Sequence, residues 1–562
     1  MYRYVLAALL FICSVSSSAK DLNDESLYQL LDDIWQYELS VSPLLASREG
    51  DASLAHVLPD ISPKALKAQD EQWRAFQKAL SQYKKEDIST DAYIALLMQQ
   101  YRLANYVDEY TYRAHLVPIN SEYGFHGAMA SLPNLSTFKR VEDYQAYISR
   151  LNALKPYFDQ QIAYMKQALK EGYTQPKVVL KGFENSVASY IVEKAEDSGF
   201  YSPFTRFPEY FTAEQKSALT EQGKAAINSS VLPAYQMFYD FMVDEYIPNA
   251  REDIAANNWP DGVAYYANRA KHYTTTDMTP QEIHDLGLSE VKRIRAQMQQ
   301  IVDELGFDGD INEFIAFLRE DPQFYATSAE DLLKEASFIA KKMDAKLPSL
   351  FEYLPRTPYG VAPVPDAIAP KYTTGRYIHP SRDDQPGYYE AVPGHHLQIS
   401  LAAELEDLPM VRRNTYISAF GEGWGLYSEF LGIEAGIYET PYDNFGRLSY
   451  EMWRACRLVV DTGMHTMGWS RQQAVDYMME NTALSEHNVN TEIDRYISWP
   501  AQALSYKIGE IKIKGLRKKA EEALGERFDV RKFHRAVLEN GSVPLFILEQ
   551  NINTFIEEQK AQ

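Results

Sequence analysis

The sequence predicts a mainly α-helical protein, and three features carry that expectation. Apolar residues recur near every 3.6 positions along most of the chain. Helix-start signals head these periodic runs, as in the capping box Thr279-Pro280-Gln281-Glu282. One long interruption, between Pro355 and Gly387, is too rich in proline for helix and admits only extended or turn structure. With 562 residues, 45% of them hydrophobic and 24% charged, the chain has the length and apolar content for a sizeable core.

Taken in order, residues 1–19 read as a secretory signal. Arg3 supplies the basic start, Val5 to Cys13 the apolar centre, and Ser17-Ser18-Ala19 a small-residue cleavage site. The apolar run is too short to span a bilayer. Cys13 follows Ile12 rather than the small residue usual before a lipid-attachment cysteine. Plain cleavage and export, to the periplasm, are therefore expected over lipoprotein anchoring. Cleavage leaves Cys456 as the one remaining cysteine, so no intramolecular disulfide can form. The net charge of −22 repels phosphate backbones and argues against nucleic acid as a partner. No later segment is long and apolar enough to cross a membrane.

Leu22 to Leu39, Leu66 to Tyr83, Val141 to Gly172 and Thr212 to Ile247 read as helices of a first half, residues 20–276. In the second half, residues 277–562, one helix runs from Thr279 towards Leu305 and another from Ser328 to near Leu347. The proline-rich stretch then carries Tyr359, Tyr372, Tyr377, Tyr388 and Tyr389, enough aromatic surface to pack. It reads as an extended cleft wall leading into the chemistry.

That chemistry centres on Glu390-Ala-Val-Pro-Gly-His-His-Leu-Gln398. Pro393 suits the first turn of a helix, and Leu397, Leu401 and Leu405 mark a buried stripe along a helix from His395 to Leu408. His395 and Gln398 then share a face, while His396 points about 100° away. Adjacent histidines at a helix start are often only cap residues. A carboxylate, an imidazole and a helix N-terminus in one place nevertheless form the inventory of a hydrolytic metal site.

Downstream, Phe420-Gly-Glu-Gly-Trp-Gly-Leu-Tyr-Ser-Glu-Phe430 places three glycines in a helical run, at a cost of roughly 1 kcal/mol each relative to alanine. Such a cost implies close approach by another backbone, and Glu422 between Gly421 and Gly423 reads as a buried functional carboxylate. Arg454, Arg457, Asp461 and His465 recur at three, four and four, so one helix face holds two cations, an anion and an imidazole, partly buried among Leu458, Val460 and Met464. Thr491 to Tyr496, with Arg495, follows; Pro500 reads as the start of a helix on which Gln502 and Tyr506 share a face. Two short helices close the chain, one capped by Asp529 and the next starting at Pro544.

These residues resemble a bacterial family of unknown function, DUF885, grouped with the gluzincin zinc metallopeptidases. The resemblance rests on Arg356-Thr-Pro-Tyr-Gly-Val361, Gly387-Tyr-Tyr389, the Glu390–Gln398 run, Gly421-Glu-Gly-Trp424, Val460-Asp-Thr-Gly463 with His465, and Tyr506-Lys507. It implies a large helical, metallopeptidase-like fold around a deep cleft, with a small extended or β element before the site. It also implies a site for short peptides or related amides, in which Glu390 is the general base and His395 and Glu422 are zinc ligands. His465 and Tyr506 would then stabilise an oxyanion, and Tyr389, His396, Arg454 and Arg495 would line the substrate's place.

One departure from the pattern matters. The family reads His-Glu-Ala-x-Pro-Gly-His, with further residues between the Gly-Tyr-Tyr element and that His-Glu pair. Here Tyr389 stands directly before Glu390. The first histidine ligand and the segment that would place it are both missing, so weak zinc occupancy and little or no turnover are expected. Two readings follow: an exported peptidase-like hydrolase, or a metal-less relative that binds peptide in the same cleft.

Overall fold

Local capping chemistry sets where the helices begin. Thr279 Oγ1 accepts the Glu282 amide at 3.3 Å while the Glu282 carboxylate accepts the Thr279 amide at 2.8 Å, and the helix Pro280–Leu305 starts there. The left-handed Gly306 (φ 63°) closes it. The same logic begins Ala213–Ala226 at Thr212 and Ala329–Asp344 at Ser328. Beyond Ala226 the helix continues to Asn249 through two π turns, 227–231 and 242–246. A proline follows each, Pro233 and Pro248, whose missing N–H removes an ordinary helical bond.

The structure is a computed structural model that describes residues 22–364, 377, 387–388, 393–406 and 408–561. The expected signal at 1–19, with Cys13, lies outside the described residues, as do Tyr389, Glu390 and most of the proline-rich stretch. The chain is mainly α, 73% helical with almost no strand. The small extended element before the site is a two-residue parallel pairing of Tyr359–Gly360 with Gly387–Tyr388. Among the described residues no helix is long and apolar enough to cross a membrane.

Two large cores hold the helices. One gathers Tyr147, Phe158 and Tyr235 with Ile294, Trp453 and Tyr496, drawing on residues from both sides of position 276. The other joins Leu397, Trp424, Ile508 and Phe533 around the site. Pro280–Leu305 lies along Pro441–Thr466, and Gly287 makes the approach possible, since a Cβ there would stand 2.7 Å from Leu458.

Two helix boundaries differ from the sequence expectation. The histidine helix is His395–Ala403 and does not reach Leu408. Glu404 and Glu406 oppose the helix dipole at that end, and Pro409 disfavours helical backbone at Leu408. Nor does Pro500 open a helix. Ala501 is left-handed (φ 69°), a short 3₁₀ turn follows at Gln502–Leu504, and the regular helix is Ser505–Leu524. The Asp461 carboxylate accepts the Ala501 amide at 3.1 Å and holds this turn.

Candidate active site

The glycines of Ser418–Glu434 decide the geometry. This helix crosses Ser505–Leu524 at Gly423 and Gly509, where a Cβ on Gly423 would stand 2.5 Å from the Gly509 backbone. Gly421 makes room for the Tyr416 ring, and Gly425 lies under the imidazole of His395, 3.3 Å from a Cβ position to Cε1. The start of the histidine helix is pinned from the same element. Trp424 Nε1 and Ser428 Oγ both donate to the Pro393 carbonyl, at 2.8 and 3.1 Å. Pro393 therefore sits just ahead of the helix as an anchor, with Gly394 as the cap residue.

Held this way, His395 Nε2 lies 3.4 Å from Glu422 Oε2. Burial pushes the Glu422 carboxyl up, but the hydrogen bond and charge of His395, with Arg457 and Arg495 behind it, outweigh burial and hold it below the usual range. Glu422 is thus a carboxylate at neutral pH.

Around this pair stands a buried arginine cage. Arg457 donates to the Tyr496 hydroxyl (2.7 Å) and to Glu492 (2.9 Å), and its guanidinium lies 4.1 Å from the centre of the Tyr506 ring. Arg495 donates to Glu492 (3.0 Å) and to Gln502 Oε1 (2.6 Å). Tyr496 completes the cage by donating to Glu492 at 2.6 Å. Glu492 is raised by burial but lowered more by Arg495 and Arg457, to about 2. One carboxylate therefore serves two guanidinium groups, and Arg457 Nη1 has no hydrogen-bond partner among the described residues. Burial pushes the Tyr506 phenol up to about 12, Glu422 adding to the rise and Arg457 opposing it, so its O–H remains a donor.

The structure brings His395, Glu422, Arg495 and Tyr506 into one neighbourhood; it places His465, His396 and Arg454 elsewhere. His465 is fully buried: Nδ1 accepts the Ala256 amide at 3.0 Å and Nε2 donates to the Tyr496 carbonyl at 3.0 Å. Burial lowers it to about 4, so it is neutral, and with both nitrogens committed to backbone it cannot serve an oxyanion. That corrects the role expected of it. His396 turns away from His395 as its helix position dictates, and its Nε2 donates to the Thr357 carbonyl at 2.9 Å beside Tyr359. It anchors the extended element and is not offered to a ligand. Arg454 lies over Trp453 and meets Glu429 at 3.3 Å. Tyr389 and Glu390 lie outside the described residues.

Sequence reasoning missed Glu492, Tyr496 and Gln502 as parts of the site. The spacing of Glu492, Arg495 and Tyr496, three and four apart on one helix face, was the available signal.

A catalytic zinc takes three protein ligands. Among the described residues two suitable donors converge, His395 and Glu422, and no group of three or more His, Cys, Asp or Glu side chains is placed to hold a metal ion. The described residues thus supply two of the three ligands a catalytic zinc takes, and Glu390 lies outside them.

A histidine–glutamate pair backed by buried arginines on packed helices describes the class of site. The chain itself belongs to the bacterial family described as "Bacterial protein of unknown function (DUF885)", whose sequence pattern matches residues 43–389 and 388–552. The two matched stretches meet at 388–389, beside the point where Tyr389 directly precedes Glu390. Among solved structures, a "putative lipoprotein" from Colwellia psychrerythraea is 28% identical, with a TM-score of 0.86 over 95% of this chain and 99% of that one. A "putative lipoprotein of unknown function" from Shewanella oneidensis shares the fold at 16% identity, with a TM-score of 0.72 over 94% and 99% of the two chains. No curated protein matches the chain.

Proposed function

We propose that the protein is an exported, peptidase-like hydrolase of the gluzincin kind whose cleft takes short peptides or related amides and turns them over slowly or not at all. The observation that carries this reading is the His395–Glu422 contact at 3.4 Å, set against the Arg457–Arg495–Tyr506 cage. Two guanidinium groups sharing one carboxylate suit an incoming carboxylate or a polarised carbonyl oxygen. The Tyr506 hydroxyl is a donor for negative charge developing there, and Glu390 is the general base of the proposal. A metal in such a site would act as a Lewis acid on the substrate carbonyl. The missing histidine before Glu390 favours the second reading, a metal-less protein that binds peptide here without cleaving it. Export rests on the Arg3 to Ala19 signal pattern, and the description of the Colwellia protein as a lipoprotein is in keeping with it.

The test is metal analysis of protein purified without chelator, with hydrolysis and binding assays on short peptides. The expected result is zinc well below one per chain, hydrolysis slow or absent, and binding of peptides that carry a free carboxylate. Stoichiometric zinc with brisk hydrolysis would overturn the slow-turnover reading. Failure of every peptide to bind or react would remove the cleft from consideration altogether.

A further inference from the structure

A cavity of about 440 Å³ opens between the end of the helix Thr90–Thr111, the helix Gly262–Thr274 and the turn Ser498–Pro500. Its walls are aromatic. Trp259 and Tyr265 stack with centroids 5.2 Å apart, Tyr112 meets Tyr265 edge-on at 5.7 Å, and Trp499 Nε1 donates to the Tyr273 hydroxyl at 2.7 Å.

The polar side of the cavity is arranged unusually. Arg269 is only 7% exposed, yet it has no carboxylate partner among the described residues. Its guanidinium donates to two amide oxygens, Asn268 Oδ1 at 3.0 Å and Asn105 Oδ1 at 2.9 Å. Each asparagine passes its own N–H onward, Asn268 to Asp108 at 2.7 Å and Asn105 to Glu109 at 2.8 Å. Two amides therefore stand between one cation and two carboxylates, and all three charged residues line the cavity. The neighbouring Arg113 is engaged by Glu171. A buried guanidinium satisfied only by neutral oxygens is a strong place for a carboxylate. Carboxylates opening onto aromatic faces are a strong place for an ammonium group.

We infer that this cavity binds a zwitterion of amino-acid or dipeptide size with an apolar or aromatic body, its carboxylate on Arg269 and its ammonium group between Glu109, Asp108 and the rings. The volume is that of an ordinary small-molecule site, and the inference is independent of the peptide reading of the His395–Glu422 cleft.

The experiment is calorimetric titration of the intact protein with L-phenylalanine and glycyl-L-phenylalanine, beside phenethylamine and 3-phenylpropionate, which lack one charge each. At least one zwitterion is expected to bind tenfold or more tightly than either single-charge analogue. The same zwitterion should lose tenfold or more with Glu109→Gln and with Trp259→Leu, and keep its affinity with Glu422→Gln. Equal affinities across the four probes, or no saturable binding of either zwitterion at millimolar concentration, would overturn the inference. So would loss of binding in Glu422→Gln, which would put the ligand in the other site. Where one cavity variant fails to fold the other carries the same comparison, and absence of zwitterion preference in the unaltered protein overturns the inference on its own.

Discussion

Tyr506 and His465 show how one expected role divides once partners are known. Tyr506 keeps a protonated hydroxyl beside Glu422 and Arg457, whereas His465 spends both ring nitrogens on the backbones of Ala256 and Tyr496. Removing the Tyr506 hydroxyl leaves its ring stacked on Arg457, so Tyr506→Phe should unfold near the wild-type temperature. Peptide binding should fall about tenfold, the ~1.4 kcal/mol of one hydrogen bond to a charged group. His465→Ala strands a buried amide and a buried carbonyl, at about 1–3 kcal/mol for each. Its melting temperature should drop by several degrees, while the folded fraction binds peptide as before. Thermal unfolding read beside peptide titration separates the two, and a His465 variant that is stable but fails to bind would return that residue to the site.

At the scale of the helix, a glycine's neighbours decide the sign of its replacement. Gly446 sits exposed in Pro441–Thr466 with nothing within 4 Å of a Cβ position, so Gly446→Ala should stabilise by about 0.5–1 kcal/mol. Gly423→Ala pushes a methyl against the Gly509 backbone and should cost about 1–3 kcal/mol despite the better helix propensity. Denaturant unfolding of both variants checks the pair; a stabilised Gly423 variant would mean the crossing is looser than this. The same contrast explains what the sequence made legible. Helix starts such as Thr279, with its capping box, depend on residues three positions apart and could be read directly. That a backbone approaches the Gly421–Gly425 run was also readable from composition. Which element approaches each glycine was not, because Gly509, Tyr416 and His395 reach them only through tertiary packing. The left-handed Ala501 was hidden for a similar reason. Its conformation is held by Asp461 from another helix, and Pro500 alone suggested an ordinary helix start. Ala256, which occupies His465, lies 209 residues away.

Across the whole molecule, buried ionisable groups tie stability to pH in opposing ways. His126, His465 and His534 are lowered by burial to about 4, so they are neutral when folded. As pH falls from roughly 6.5, the histidine value of an unfolded chain, the unfolded state takes up protons that the folded state refuses until about pH 4. Stability should therefore decline steeply over that interval. Asp461 acts in the other direction. It accepts from Tyr266 at 2.7 Å and from Ala501, but its second oxygen has no partner among the described residues, and burial raises it to about 7. The folded state thus holds a proton that the unfolded state releases near pH 4, and the cost of ionising Asp461 builds up as pH rises from there to about 7. That cost is on the order of a few kcal/mol at most. Asp461→Asn keeps an oxygen for Tyr266 and Ala501 and carries no charge at any pH. Melting temperatures of the variant and the wild type, taken from pH 5 to pH 8, should therefore converge or cross in the variant's favour as pH rises, with the change levelling off just above pH 7. A difference between them that stays constant across that range would show that Asp461 is already ionised at pH 5, and that the turn at Ala501 is held by a charged carboxylate.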